Sequence, residues 1–467
     1  MSHADVRELP EQEAPRRTPQ AANAFVPGGR RRHRKPKQLG TGTRRALVLA
    51  MTVPVASATL AAPAAFAAGK NTAASAADQT GGLDAAEQKM VANLDTRVAD
   101  QRLGDNVSGV VLDAGTDTTL WDHNASTALM PASNTKLATA TAALTVLGPN
   151  HRFTTNVVYG NGTLTLVGGG DRTLTSDDLA DMAKSAVAGL KAAGLTTVKV
   201  AVDDSLFPEP TLAKGWNAGY YPDSVAPVRA LVVDGHGVQD TSIDAGQVFA
   251  KKLAASGVTV DGDVTRAKAS RTDVPVARHT SAKLSEIVHT MLKTSSNNIA
   301  ETLLRMTALG AGRPATFEGG TQVVREVLSR RYGVSLDNFE MYDGSGLSRA
   351  TRIPAATLAQ ILELLTQPRN LHTLGSILNG LPVSGEAGGT LGPEFGRFDD
   401  ANSKCAVGKV RAKTGTLTGA VALSGLTQSE DGQWRVFSFV ENGSTANPTD
   451  TKDALDGLAA TVNGCWA

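Results

Sequence analysis

The hexapeptide PASNTK (131–136) sets Ser133 three residues before Lys136, and Ser133 is the one serine of the 467-residue chain with a lysine at that distance. On a helix this spacing brings two side chains onto one face, within reach of a shared hydrogen bond. The chemistry it offers is a serine nucleophile with a lysine base, and the bland alternative is a surface pair on a helix's first turn. A lysine can act as a base only when neutral, which requires burial or a neighbouring cation to bring its pKa down from about 10.4.

Two further stretches could complete such a site. Lys413-Thr414-Gly415, followed by Thr416, opens a strand in VRAKTGTLTG and offers a second ammonium. Gly415, having no side chain, is expected to let a substrate backbone lie against the strand edge. Ser295-Ser296-Asn297 interrupts a helical pattern with a serine and an amide, although Ser296-Asn297-Asn298 also fits S-x-N. A histidine base is not indicated, because there is no G-x-S-x-G elbow. None of the eight histidines stands in an H-E-x-x-H or paired-ligand spacing, so neither a metal nor a cofactor is expected.

These residues must be positioned by regular elements. Residues 107–122 (VSGVVLDAGTDTTLWD) predict a β-hairpin leading into a helix that starts at PASNTK and ends near Gly148, with Ser133 at its positive pole. Residues 152–279 change to short alternating strands and one amphipathic helix from Ser176, and read as an inserted module without a catalytic constellation. From Lys283 the helical period returns and is interrupted by the TSSNN stretch. Residues 421–427 and 434–440 predict a second hairpin around Asp431-Gly432, followed by a helix with Leu455, Leu458 and Val462 on one face. The order predicts an α+β fold whose sheet joins both ends of the chain.

Composition sets the compartment. Hydrophobic residues make up 41% of the chain and support a sizeable core. Residues 1–45 hold 11 of the 46 Lys and Arg but four of the 45 acids; with a net charge of +1 for the whole, the remainder stands at −6, which argues against a nucleic-acid partner. The uncharged run 46–68 follows Arg44-Arg45 and ends in Ala65-Phe66-Ala67, the pattern of a signal peptide or, if uncleaved, a membrane anchor. Either reading places the folded part outside the cytoplasm and leaves membrane association through 46–68 open. In an oxidising compartment Cys405 and Cys465 are expected to form a disulfide contributing about 2–4 kcal/mol, the alternative being two unpaired buried thiols.

S-x-x-K, S-x-N and K-T-G in this order are the motifs of penicillin-recognising serine enzymes. With SSNNIAE (295–301), YDGSGLSR (342–349), LPVSGEAGGTL (381–391), AKTGTLTGAVALSGL (412–426) and the long insertion, the chain resembles the D-alanyl-D-alanine carboxypeptidase/endopeptidase family, the class C low-molecular-mass penicillin-binding proteins. The resemblance implies an antiparallel sheet flanked by helices, a penicillin-binding-protein/β-lactamase-like domain carrying an inserted β-rich module. It implies a basic leader at 1–45, the apolar segment at 46–68, a linker at 69–82 and a penicillin-binding domain split into 83–151 and 280–467 around 152–279. Carried over by position, it makes Ser133 the nucleophile, Lys136 its base and Ser295 a proton relay. Asn297, Lys413, Thr414, Gly415 and Thr416 would bind substrate, Lys413 facing the terminal carboxylate, with the N–H groups of Ser133 and Thr416 as oxyanion hole. The implied partners are peptidoglycan peptides ending in D-Ala-D-Ala, and β-lactams as covalent inhibitors.

Two other functions share these features. A β-lactamase needs a carboxylate to activate the deacylating water, and the E-x-x-L-N pattern that supplies it is missing, since Leu378-Asn379 is preceded by Ser376. A non-catalytic wall-binding protein would have no use for a serine paired with a lysine.

Overall fold

A helix without a polar face must be buried all round. Thr135–Leu147 (TKLATATAALTVL) is such a helix: every residue from Thr135 to Leu144 is buried, Lys136 included. The rest of the fold is the packing around it. The computed structural model describes residues 82–429 and 432–466. The leader, the 46–68 segment, the linker up to residue 81 and Asp431 of the expected turn lie outside the described residues.

In chain order the strands are β1 (Val107–Asp113), β2 (Thr118–His123), β3 (Ala128–Leu129), β4 (Thr154–Gly160), β5 (Thr163–Val167), β6 (Thr197–Asp203), β7 (Thr259–Val260), β8 (Thr265–Arg266), β9 (Val274–Thr280), β10 (Ile353–Pro354), β11 (Val410–Leu417), β12 (Ala420–Gln428) and β13 (Trp434–Asn442). The α-helices are α1 (Ala85–Val98), α2 (Thr135–Leu147), α3 (Ser176–Ala192), α4 (Thr241–Ala255), α5 (Leu284–Thr294), α6 (Asn297–Gly310), α7 (Phe317–Glu326), α8 (Ala355–Glu363), α9 (Pro368–Gly380) and α10 (Pro448–Val462).

The main sheet has the order β11-β12-β13-β1-β2, every pair antiparallel, so the first strand of the hairpin preceding PASNTK meets the last strand of the chain. Val107 pairs with Glu441 and Asp113 with Arg435, which joins the two ends as the sequence predicts. One face packs on α2, α5, α6, α8 and α9, with Leu137, Leu144, Met291, Leu303 and Leu358 in that core. The other packs on α1 and α10 through Leu94, Phe437, Phe439, Leu455 and Leu458. β11, bearing Lys413-Thr414-Gly415, is the edge strand beside the short turn that holds Ser133.

Residues 152–280 build a second sheet, β7-β6-β5-β4-β9 with β8 on β6, under α3 and α4. The pairs β5–β6 and β6–β7 are parallel. Helix α4 was not apparent from the sequence; Asp240 caps its N-terminus, and Ala245, Phe249 and Leu253 bury one stripe of it. The stretch between β6 and α4 does more than connect them. Phe207 and Val228 pack with Ala315, and Trp216 stacks edge-on against Phe317 at 5.2 Å. This stretch forms part of the wall around the site. Cys405 and Cys465 are disulfide-bonded with Cα atoms 5.9 Å apart, tying the end of α10 to the 385–406 segment.

Candidate active site

Ser133 lies in a single 3-10 turn, Ala132–Asn134, immediately before α2 rather than in its first turn. Ala132 takes φ +47°, a left-handed conformation that costs a non-glycine residue of order 1 kcal/mol. Two glycines accommodate it. Gly346 passes directly under the Ala132 carbonyl, and a methyl added at Gly415 would come within 2.5 Å of the Pro131 carbonyl oxygen. Gly415 therefore makes room for the serine turn. Gly415→Ala should displace Pro131 and Ser133 together, and a shift approaching 1 Å costs about 100-fold in rate. Acylation kinetics with parallel thermal melting will separate that loss from unfolding.

Lys136 is fully buried and its Nζ has three neighbours: Ser133 Oγ at 2.9 Å, Asn297 Oδ1 at 2.8 Å and the Ser345 carbonyl at 2.7 Å. Asn297 is oriented by its own amide, whose Nδ2 donates to the Ser224 carbonyl at 2.9 Å, so its oxygen faces the lysine. A neutral amine has two N–H donors and one lone pair. Asn297 Oδ1 and the Ser345 carbonyl can only accept, so they take both donors and leave the lone pair for the Ser133 hydroxyl proton. Burial pushes the Lys136 pKa down to about 7, against the opposing pull of Asp343 and Glu301.

Lys413 is also fully buried, and its Nζ donates to Ser295 Oγ at 2.9 Å and to the Thr414 carbonyl at 2.7 Å. Burial, then the charges of Lys136 and Arg397, push its pKa well below the usual lysine range. Burial is the first cause of both shifts, and the charges of Lys136 and Lys413 disfavour each other.

The second motif sits where two helices meet. Ser295 ends α5 in a left-handed conformation (φ +57°) that turns its hydroxyl toward Lys413. Ser296 caps α6 by accepting the Ile299 N–H, and Asn298 Oδ1 accepts the Ala226 N–H. Of the two frames, Ser295 and Asn297 face the lysines, whereas Ser296 and Asn298 hold the backbone.

The sequence did not reveal the floor beneath Lys136. Glu301, one helical turn after Asn297 on α6, is fully buried and accepts the N–H groups of Gly344 and Ser345, the latter at 2.7 Å. Asp343 accepts from the N–H groups of Gly346 and Ser348 and from Trp216 Nε1 at 2.7 Å. These bonds fix the 343–346 turn, whose Ser345 carbonyl receives Lys136. Burial and the nearby Asp343 charge raise the Glu301 pKa to about 7, and burial raises Asp343 as well. The i, i+4 spacing of Asn297 and Glu301 in SSNNIAE was the available signal. Nothing in sequence marks a carbonyl as a ligand.

Ser133, Ser295, Thr414 and Thr416 open onto one cleft of about 240 Å3. Thr416 is exposed at the end of β11, and Thr414 Oγ1 lies 2.7 Å from Thr390 Oγ1. No Asp or Glu lines the cleft among the described residues.

The fold is that of penicillin binding protein 4, α+β with an antiparallel sheet between helices. The D-Ala-D-Ala carboxypeptidase 3 (S13) family model matches residues 90–238 and 235–462. The chain belongs to this family, and with it to the serine-type D-Ala-D-Ala carboxypeptidases, which are hydrolases. It is 32% identical over 391 residues to carboxypeptidase DacB of Mycolicibacterium smegmatis, covering 77% of this chain and 80% of that one. It is 30% identical over 526 aligned residues to the D-alanyl-D-alanine carboxypeptidase of an Actinomadura species, covering 90% and 91%. The crystal structure of penicillin binding protein 4 from Haemophilus influenzae superposes with a TM-score of 0.66 at 23% identity, over 79% of this chain and 97% of that one.

Proposed function

We propose that this protein cleaves peptidoglycan peptides ending in D-Ala-D-Ala through an acyl-enzyme on Ser133, outside the cytoplasm. The observation that carries the reading is the arrangement at Lys136 Nζ, with two acceptors on its N–H groups and Ser133 Oγ at 2.9 Å. Ser133 Oγ attacks the carbonyl carbon of the penultimate D-alanine while its proton passes to Lys136. The developing oxyanion is met by the N–H groups of Ser133 and Thr416, each such donor contributing about 100–1000-fold in rate. The C–N bond breaks as the leaving amine takes a proton delivered through Ser295, and water then hydrolyses the ester and restores the serine. Asn297 orients the base, and the Thr414 and Thr416 hydroxyls hold the leaving residue. Export is supported by the 46–68 segment; among the described residues no helix is long and apolar enough to cross a membrane.

A β-lactam acylates the same serine, but its amine stays tethered and blocks the approach of water. With no carboxylate lining the cleft to activate that water, the penicilloyl ester should be long-lived. Labelled penicillin followed by peptide mapping tests the reading. The expected adduct lies on the peptide containing Ser133 and is absent from Ser133→Ala. D-alanine release that survives Ser133→Ala, or rapid cephalosporin turnover, would overturn it.

A further inference from the structure

The stretch between β6 and α4, which belongs to the inserted module, lies against the catalytic residues at several points. The Ser224 carbonyl accepts Asn297 Nδ2 at 2.9 Å and the Ala226 N–H donates to Asn298 Oδ1 at 2.8 Å, so the second motif is held from this side. The Lys214 carbonyl accepts Ser348 Oγ at 2.6 Å, and the Gly215 carbonyl accepts the Arg349 N–H at 3.3 Å. A further contact lies wholly in the interior: Trp216 Nε1 donates to Asp343 Oδ2 at 2.7 Å.

Trp216 is 8% exposed, and its ring is boxed edge-on by Phe317 at 5.2 Å, Tyr221 at 5.9 Å and Tyr220 at 6.2 Å, which fixes the direction of its N–H. Asp343 has no exposed surface, and a buried carboxylate is stable only while donors surround it. It also accepts the Gly346 N–H at 3.0 Å, the Ser348 N–H at 2.7 Å and Ser345 Oγ at 3.3 Å, all from its own turn. Trp216 is therefore the donor that ties this carboxylate to another part of the chain. Glu301 anchors the same turn from α6 through the N–H groups of Gly344 and Ser345. The turn so held presents the Ser345 carbonyl to Lys136 Nζ at 2.7 Å.

We propose that Trp216 is a positioning residue for the general base: its indole N–H anchors Asp343 and, through the 343–348 turn, keeps the Ser345 carbonyl on Lys136 Nζ. The inference rests on Lys136 as the base of Ser133. It gives the inserted module a part in the reaction. The acceptors that occupy the N–H groups of the neutral amine are Asn297 Oδ1 and the Ser345 carbonyl, and both are set from this one segment, through Ser224 and Trp216.

The anchor also has an electrostatic signature. Burial raises the Asp343 pKa, and the Trp216 N–H is foremost among the bonds that oppose the rise. Its loss favours the neutral carboxyl, and a negative charge that raises the Lys136 pKa is lost with it. The other acid acting on Lys136 is Glu301, with Arg305 acting on it in turn, and the neighbouring cation is Lys413. Trp216 donates to Asp343 and to none of these.

The test measures penicillin acylation across pH, together with thermal melting, for Trp216→Phe, Asp343→Asn and the double variant, each rate being read at a temperature where the variant is folded. Phenylalanine keeps an aromatic ring in the box and removes the N–H. The plateau rate constant of Trp216→Phe should fall about tenfold, since a misplacement approaching 1 Å costs about 100-fold and Asp343 keeps the donors of its own turn. Its acidic limb should move below about 7. Because Trp216 acts through Asp343, the double variant should be no slower than Asp343→Asn alone. A plateau and limb that stay unchanged, with or without a lower melting temperature, or losses that multiply in the double variant, would overturn the inference. Failure of the base assignment looks different, because Lys136→Met would then be acylated at a near-normal rate whatever stands at position 216.

Discussion

Lys136→Met should lower the rate of acylation by penicillin and by peptide about 100- to 10,000-fold, the range lost with a positioned general base. Methionine fills the buried site of a long unbranched side chain, and it removes the cost of desolvating an amine in a position with no exposed surface. Against this, Asn297 Oδ1 and the Ser345 carbonyl each lose a donor, at about 1 kcal/mol apiece. The opposing contributions should leave the melting temperature close to its starting value while activity collapses. Lys136→Arg separates charge from basicity: it retains a cation and donors but cannot present a lone pair, because a guanidinium does not deprotonate in this range. It should be as inactive as Lys136→Met. An arginine variant with near-normal acylation would mean that position 136 supplies charge and not a base.

Glu301→Ala has the second largest expected effect, and on two observables at once. The N–H groups of Gly344 and Ser345 lose their acceptor in the interior, at about 1–3 kcal/mol each, so unfolding should become easier by about 2–6 kcal/mol. The Ser345 carbonyl loses its anchorage in the same step, and acylation should slow even where the protein is fully folded. Glu301→Gln keeps an oxygen for these N–H groups and should recover most of the stability. It also removes a negative charge that raises the Lys136 pKa. Since activity requires the neutral amine, the acidic limb of the pH profile should move below about 7 in the glutamine variant. A glutamine variant whose limb does not move would make Glu301 a purely structural residue; both changes can be read from acylation kinetics and chemical denaturation across pH.

Much of the site was legible because its chemistry is carried by side chains at short spacings. Ser133 with Lys136, Ser295 with Asn297, and Lys413 through Thr416 each lie within four residues, and the strands and helices around them follow ordinary periodicity. What could not be read depends on backbone approach. The Ser345 carbonyl on Lys136, the Glu301 clamp and the fit of Gly415 against Pro131 each join positions from different elements. Burial as the first cause of the Lys136 shift follows from LATATAALTVL, which has no charge after Lys136 and is buried from Leu137 to Leu144.

The claim that a neutral Lys136 unmasks the Ser133 hydroxyl is tested most directly by the second-order rate constant for penicillin acylation measured from about pH 5 to about pH 9. The expected profile climbs about tenfold per pH unit at the acidic end and levels off above about 7, where burial places the Lys136 pKa. A profile that stays level across the whole range would contradict it.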